Sequence, residues 1–237
     1  QATQGLADYL NETFENPSVA IAYDSRIKSD VLAKTAAGVL AANGIKVYIY
    51  PELMPTPMLS FAVRRLHCSS GIVLTASHNP AKYNGYKCYD SKGYQMTDEA
   101  AAKTYEYMKK VDMFDGVKRM DFEDALAEDM VDFIEDWLLD DFYKDVLSRQ
   151  VEKGICKKAD LKVIYSPLNG TGNKPVKNIL KNGTDYSSAK YIYNPTNGNT
   201  NLDKNLNQKD KLDIINLYIK TAASSERLIG EYVPAYT

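Results

Sequence analysis

Histidine is nearly absent from this sequence, with only His67 and His78 among 237 residues, so a multi-histidine metal centre is excluded. Cysteine is scarce too. Cys68, Cys88 and Cys156 are far apart and odd in number, which argues against a disulfide framework and against a cysteine zinc site. A reducing, cytoplasmic setting follows from that usage. No charge of one sign dominates: 29 Lys and Arg against 31 Asp and Glu leave a net charge of −2. That balance gives no basic field for nucleic acid, and there is no basic amphipathic helix for a membrane surface. No run approaches the roughly 18 apolar residues that a spanning helix needs. The opening residues also lack a basic-then-apolar leader pattern. Any metal used here would have to be held by oxygen.

What is present is an ordinary globular composition, 44% apolar and 25% charged, enough for one large domain or two modest ones. Leu6, Tyr9, Leu10, Thr13 and Phe14 fall at helical spacing and open the chain with an amphipathic helix. Val19 to Tyr23 reads as a buried strand, followed by a polar Asp24-Ser25-Arg26 loop. Ser29 is expected to cap a helix that stops at Asn43-Gly44. Ile45 to Tyr50 is a second strand. Thr56 is expected as an N-cap with Pro57 as first helical residue, and Gly71 to Thr75 is a third strand. This β-α-β-α-β order predicts a three-layer α/β/α domain around a mixed, mainly parallel sheet.

Beyond the third strand, Asn84-Gly85 is a turn signal, and Tyr86 to Tyr89 reads as an antiparallel edge strand. Thr97 is expected to cap a helix carrying Asp98 and Glu99 in its first turn. The segment from Asp121 to Asp145 holds eleven carboxylates and reads as helical, with Phe122, Leu126, Met130, Phe133, Ile134, Trp137 and Leu138 on one stripe. Its carboxylates are either a solvated face or a metal cluster, and the regular stripe favours the former. A partial second α/β domain is expected to begin with a strand at Leu161 to Tyr165 and a helix reaching Leu180. The division therefore runs 1–157 and 158–237. A further helix is expected from Leu212 to about Ala223, with unstructured last residues.

Chemistry concentrates in Thr75-Ala76-Ser77-His78-Asn79-Pro80, just past the third strand, where open α/β sheets bind ligands. Taken alone, Ser77 beside His78 is consistent with an ordinary turn. A hydrolase would need a Gly-x-Ser-x-Gly elbow, and none is present. Gly170-Thr171-Gly172-Asn173-Lys174 matches neither common phosphate-binding glycine pattern and reads as a structural turn before a helix.

The string Thr75 to Pro80, followed by Tyr83-Asn84-Gly85-Tyr86-Lys87, resembles the active-site loop of the α-D-phosphohexomutases, the phosphoglucomutase and phosphomannomutase family. Ala22 to Arg26, Pro55-Thr56-Pro57 and Leu168 to Pro175 resemble further segments of that family in the expected order, so the likeness spans about residues 2 to 180. It implies that a phosphorylated Ser77 exchanges its phosphoryl group with a hexose phosphate through a bound bisphosphate. His78 and Lys87 would be catalytic, Arg26 and Asn84 would bind substrate, and Mg²⁺ would sit on the Ser77 phosphate. Arg26 could equally form an ion pair with Asp24 or Asp30, Lys87 could be a plain surface lysine, and His78 could only shape the turn. The family's Asp-x-Asp-x-Asp-Arg metal loop and its third and fourth domains find no counterpart. The expectation is therefore part of a longer enzyme, inactive by itself, or alternatively a non-catalytic sugar-phosphate-binding or interaction module. Oligomeric state is left open.

Overall fold

The computed structural model describes residues 1–80, 82–158, 164–165, 167, 170–183 and 190–191. The chain divides into two compact units: residues 1–77 with 84–142, and residues 78–83 with the described part of the chain from 143 onward.

The first unit is built on a five-stranded sheet. Helix α1 (Ala2–Thr13) leads into β1 (Ser18–Tyr23), α2 (Ser29–Ala42), β2 (Lys46–Ile49), α3 (Thr56–Arg65), β3 (Ser70–Leu74) and β4 (Tyr86–Asp90). Then follow α4 (Asp98–Lys110), α5 (Phe122–Ala127), β5 (Val131–Phe133) and α6 (Asp136–Ser148). The strand order is β4-β3-β1-β2-β5. All neighbours are parallel except β4, which runs antiparallel to β3.

Two-residue alternation explains the layers. In β1, Val19 and Ile21 face one core with Leu6 and Leu10 of α1, Ala36, Ala37 and Leu40 of α2, and Phe122 and Ala125 of α5. Ala20 and Ala22 face the other, with Met58, Leu59, Ala62 and Val63 of α3 and Leu138 of α6. The β1-α2-β2 crossover moves one way along the sheet, and β2-α3-β3 returns past β1. Right-handed crossovers therefore put α2 and α3 on opposite faces, and the chain reverses direction between β1 and β3.

Several local expectations shift. The acidic stretch is not continuously helical: α5 ends at Ala127, and β5 pairs with β2 through Val47↔Val131, Tyr48↔Asp132 and Ile49↔Phe133. Sheet pairing and burial of Val131 overrule the helical stripe, leaving Phe133 and Trp137 largely exposed. Lys28, in a left-handed conformation, caps α2 in place of Ser29, which is the first helical residue. Pro55 caps α3, one residue before the expected Thr56. Thr97 does precede α4, but its side chain makes no capping bond. Among the described residues no helix is long and apolar enough to cross a membrane.

Within the second unit, α7 (Ile155–Lys158) is a single turn, and β6 (Ile164–Tyr165) pairs in parallel with β7 (Lys190–Tyr191) across α8 (Asn173–Gly183). This gives the strand and the helix expected around Leu161 to Leu180. Residues 161–163, the expected helix at Leu212 to Ala223 and the last residues lie outside the described residues.

Candidate functional site

The order β4-β3-β1-β2-β5 sets the loops that follow β1 and β3 side by side at the carboxyl ends of their strands, the place where open α/β sheets take ligands. Two loops meet there, and Asp24 N–H donates to Leu74 O at 3.1 Å, holding them together. The β1 loop carries Asp24 and Arg26. The β3 loop carries Thr75, Ala76 and Ser77.

Ser77 is exposed at the end of a buried run, and its φ is +56°, in the left-handed region that a serine seldom enters. Its amide donates to Thr75 Oγ1 at 3.0 Å. Its carbonyl accepts from Arg26 Nη2 at 2.6 Å. The turn that lifts the hydroxyl to the surface is thus fixed from both of its peptide groups.

Arg26 is braced in turn. Nε lies 3.3 Å from Asp24 Oδ2, and the two side chains are only 11% and 14% exposed. The alternative of an Asp24–Arg26 ion pair therefore holds alongside the contact to Ser77. The pair is not a surface one. Asp24 Oδ1 accepts the Arg26 amide at 3.0 Å, closing a two-residue Asx turn, and also accepts the hydroxyl of buried Ser29 at 2.7 Å. Ser29 Oγ accepts from Asn84 Nδ2 at 2.9 Å, and Asn84 Oδ1 accepts from Gly85 N–H at 2.9 Å. Gly85 closes the circuit, its carbonyl accepting from Thr75 N–H at 3.0 Å. A Cβ on Gly85 would lie 2.3 Å from Thr75 O, so only glycine lets the two backbones approach this closely.

Lys87 sits two rungs along β4 from Gly85, opposite Val73 and half-buried. Its neighbours Tyr86 and Cys88 turn to the α1–α2 core, so Lys87 lies on the α3 face. Burial pushes the Cys88 thiol up to about 12. His78 follows Ser77 in the chain, is exposed, and belongs to the 78–83 segment grouped with the second unit. There Tyr83 N–H closes a turn on Pro80 O at 3.0 Å.

Of the residues singled out from sequence, Arg26, Ser77 and Asn84 are joined in one hydrogen-bonded frame, with Lys87 on the strand that continues it. Sequence reasoning missed Ser29 and Thr75 as members. The spacing of Asp24 and Arg26 around a single serine was an available signal for the Asx turn. Among the described residues no cluster of three His, Cys, Asp or Glu could hold a metal ion.

Known proteins share this fold. The family model of phosphoglucomutase/phosphomannomutase, alpha/beta/alpha domain I, matches residues 1–114. A phosphoglucomutase of Staphylococcus saprophyticus is 37% identical over 176 residues, covering 74% of this chain and 31% of that relative. The chain thus spans about a third of the length of the curated relatives it matches. A solved Thermus thermophilus protein described as a phosphomannomutase superposes with a TM-score of 0.65 at 25% identity, covering 81% of this chain and 40% of its own. The Paramecium phosphoglucomutase parafusin shares the fold at a TM-score of 0.62 and 20% identity, covering 79% of this chain and 38% of its own. With its α/β/α domain I in residues 1–114, the chain belongs to the phosphoglucomutase/phosphomannomutase family.

Proposed function

We propose that this chain supplies the phosphate-carrying part of a phosphohexomutase, with Ser77 as the group that is phosphorylated and dephosphorylated in each cycle. The observation that carries this reading is the left-handed, exposed Ser77 whose own carbonyl is held by Arg26. A guanidinium placed there is within reach of charge on the Ser77 side chain, and its planar donors suit phosphate oxygens.

Phosphoryl transfer depends on positioning and charge neutralisation more than on covalent assistance. A hydroxyl of the hexose phosphate attacks the phosphorus on Ser77, the Oγ–P bond breaks, and the sugar becomes a bisphosphate. After the sugar turns over, its other phosphate returns to Ser77 Oγ. Lys87 is the group assigned to take and return the hydroxyl proton. His78, next in the chain, is assigned to the sugar phosphate. Interconversion of hexose 1-phosphate and 6-phosphate is the reaction this scheme performs, in a cytoplasmic setting. The domain division proposed for it remains 1–157 and 158–237.

Magnesium is the cofactor that such a reaction draws on, as a hard cation spreading phosphate charge. The described residues do not by themselves fit a magnesium site. Besides the missing cluster, both oxygens of Asp24 are already engaged by Arg26 and Ser29. A phosphate on Ser77 is the ligand this region would offer.

The test is Ser77→Ala in the full-length protein, assayed for conversion of hexose 1-phosphate in the presence of a trace of hexose 1,6-bisphosphate. The reading expects a loss of more than about a thousandfold, as for removal of any covalent nucleophile. Retained activity overturns it.

A further inference from the structure

We propose that Asp24, Ser29 and Asn84 form a single proton-ordered strut that positions Arg26 against the Ser77 loop, so that Ser29 and Asn84 are positioning residues and not substrate contacts.

The direction of every proton in the strut is fixed by groups that leave no choice. Gly85 N–H can only donate, so the Asn84 atom 2.9 Å from it is the amide oxygen. The Asn84 nitrogen must then donate to Ser29 Oγ, at 2.9 Å. Ser29 Oγ accepts that bond, which leaves its own hydrogen for Asp24 Oδ1 at 2.7 Å. The Asp24 carboxylate oxygens face donors only. They take the Ser29 hydroxyl, the Arg26 amide and Arg26 Nε. Arg26, a donor only, turns Nη2 to Ser77 O. The chain of bonds thus runs from the β3–β4 turn, through the first residue of α2, to the β1 loop and back to Ser77.

Burial gives the strut its stiffness. Ser29 is fully buried, and the Asp24 and Arg26 side chains are nearly so. A charge-assisted bond in such surroundings is stronger than one in water and is costly to leave half made. The Asn84 amide already makes one bond at each end inside the protein, to Ser29 and to Gly85. It is well disposed to hold Ser29 in the one orientation that completes the coordination of Asp24. Without it, Ser29 can rotate, Asp24 loses a donor, and the guanidinium is no longer braced where it meets the phosphoacceptor turn.

Two measurements test the strut, and only the second rests on the mutase reading. The first uses the chain with no substrate. Solvent exchange of the Arg26 Nε–H, followed by NMR, should accelerate by about tenfold or more in Asn84→Ala and in Ser29→Ala, as protection is lost locally. Unchanged exchange in a folded variant overturns the proposal whatever the protein catalyses. Asn84 is half-buried, so its variant carries the test if Ser29→Ala does not fold. The second is a double-mutant cycle in the full-length enzyme. Asn84→Ala should lower kcat about tenfold when Arg26 is present and by less than about twofold in an Arg26→Ala background, the signature of two groups acting as one. Equal losses in both backgrounds, whether accompanied by a lower melting temperature or by a raised KM, overturn it. If Ser77→Ala leaves mutase activity intact while the exchange result holds, the mutase reading fails and the strut stands.

Discussion

Adding one methyl group at Gly85 should separate the two loops that make the site. An alanine Cβ there would lie 2.3 Å from Thr75 O, 3.1 Å from Thr75 C and 3.3 Å from Ala76 Cα. These are backbone atoms, which cannot swing aside as a side chain would. Relief requires the turn to move back by roughly 1 Å, the overpacking regime that costs about 1–3 kcal/mol. The Thr75 N–H to Gly85 O bond, now 3.0 Å, is lost in that movement, at a net cost of about 1 kcal/mol. The reduced freedom of the unfolded chain returns about 0.4–1 kcal/mol. The sum is a loss of about 1–3.5 kcal/mol, or about 2–14 °C in melting temperature for a protein of this size. The kinetic effect is larger, because a reacting group displaced by 1 Å loses about a hundredfold in rate. Differential scanning fluorimetry and the mutase assay on the full-length protein read the two effects. Gly44→Ala is the control: Gly44 has φ +75° with nothing within 4 Å of a Cβ, so only left-handed strain of about 1 kcal/mol is added, far from the site. If Gly85→Ala melts within about 2 °C of the parent and keeps its rate within about twofold, the close approach is not holding the loops.

Asp24→Asn should replace an acceptor with an amide N–H facing Arg26 Nε–H, costing about 1.5–3 kcal/mol in urea unfolding and lowering kcat more than it raises KM. A variant that matches the parent on both counts contradicts the bracing role. At Ser77, the left-handed backbone favours glycine, so Ser77→Gly should be more stable than Ser77→Ala by about 1 kcal/mol, both being without phosphoacceptor activity. Equal stabilities would show that the turn relaxes. Burial raises the thiols of Cys68 to about 11 and of Cys88 to about 12, from an ordinary value of 9.0. Their contribution to stability is full below pH 9, where both states keep the proton. It is lost as pH climbs through 11 and 12, because only the unfolded chain ionises readily. Urea midpoints measured from pH 8 to pH 11 should fall accordingly, and iodoacetamide at pH 8 should label these two cysteines only after unfolding.

The layered fold was legible because burial imposes periodicity. Val19 to Tyr23 and Gly71 to Thr75 are uninterrupted apolar runs, as strands covered on both faces must be, and Asn43-Gly44 stops α2 where the left-handed Gly44 turns the chain. β5 was not legible. Met130, Phe133 and Ile134 fit a helical stripe, and only pairing with β2 makes Val131 to Phe133 a strand. The Ser77 loop showed itself as a motif, but its supports did not. Ser29 looks like an N-cap in sequence, yet its hydroxyl turns away from the helix to Asp24, leaving the cap to left-handed Lys28. Asn84-Gly85 reads as a turn pair valued for positive φ. In the structure Gly85 is needed for its missing Cβ, and Asn84 for both ends of its amide. Such roles depend on which loops the topology brings together, and local pattern carries no record of that.

The central claim is that Ser77 is the atom-level carrier of phosphate. Intact mass spectrometry of freshly purified full-length protein, with and without incubation with hexose 1,6-bisphosphate, measures it directly. The account predicts one added phosphate, mapped by fragmentation to Ser77 and removed by excess hexose phosphate. A phosphate on another residue, or none after incubation with the bisphosphate, would contradict it.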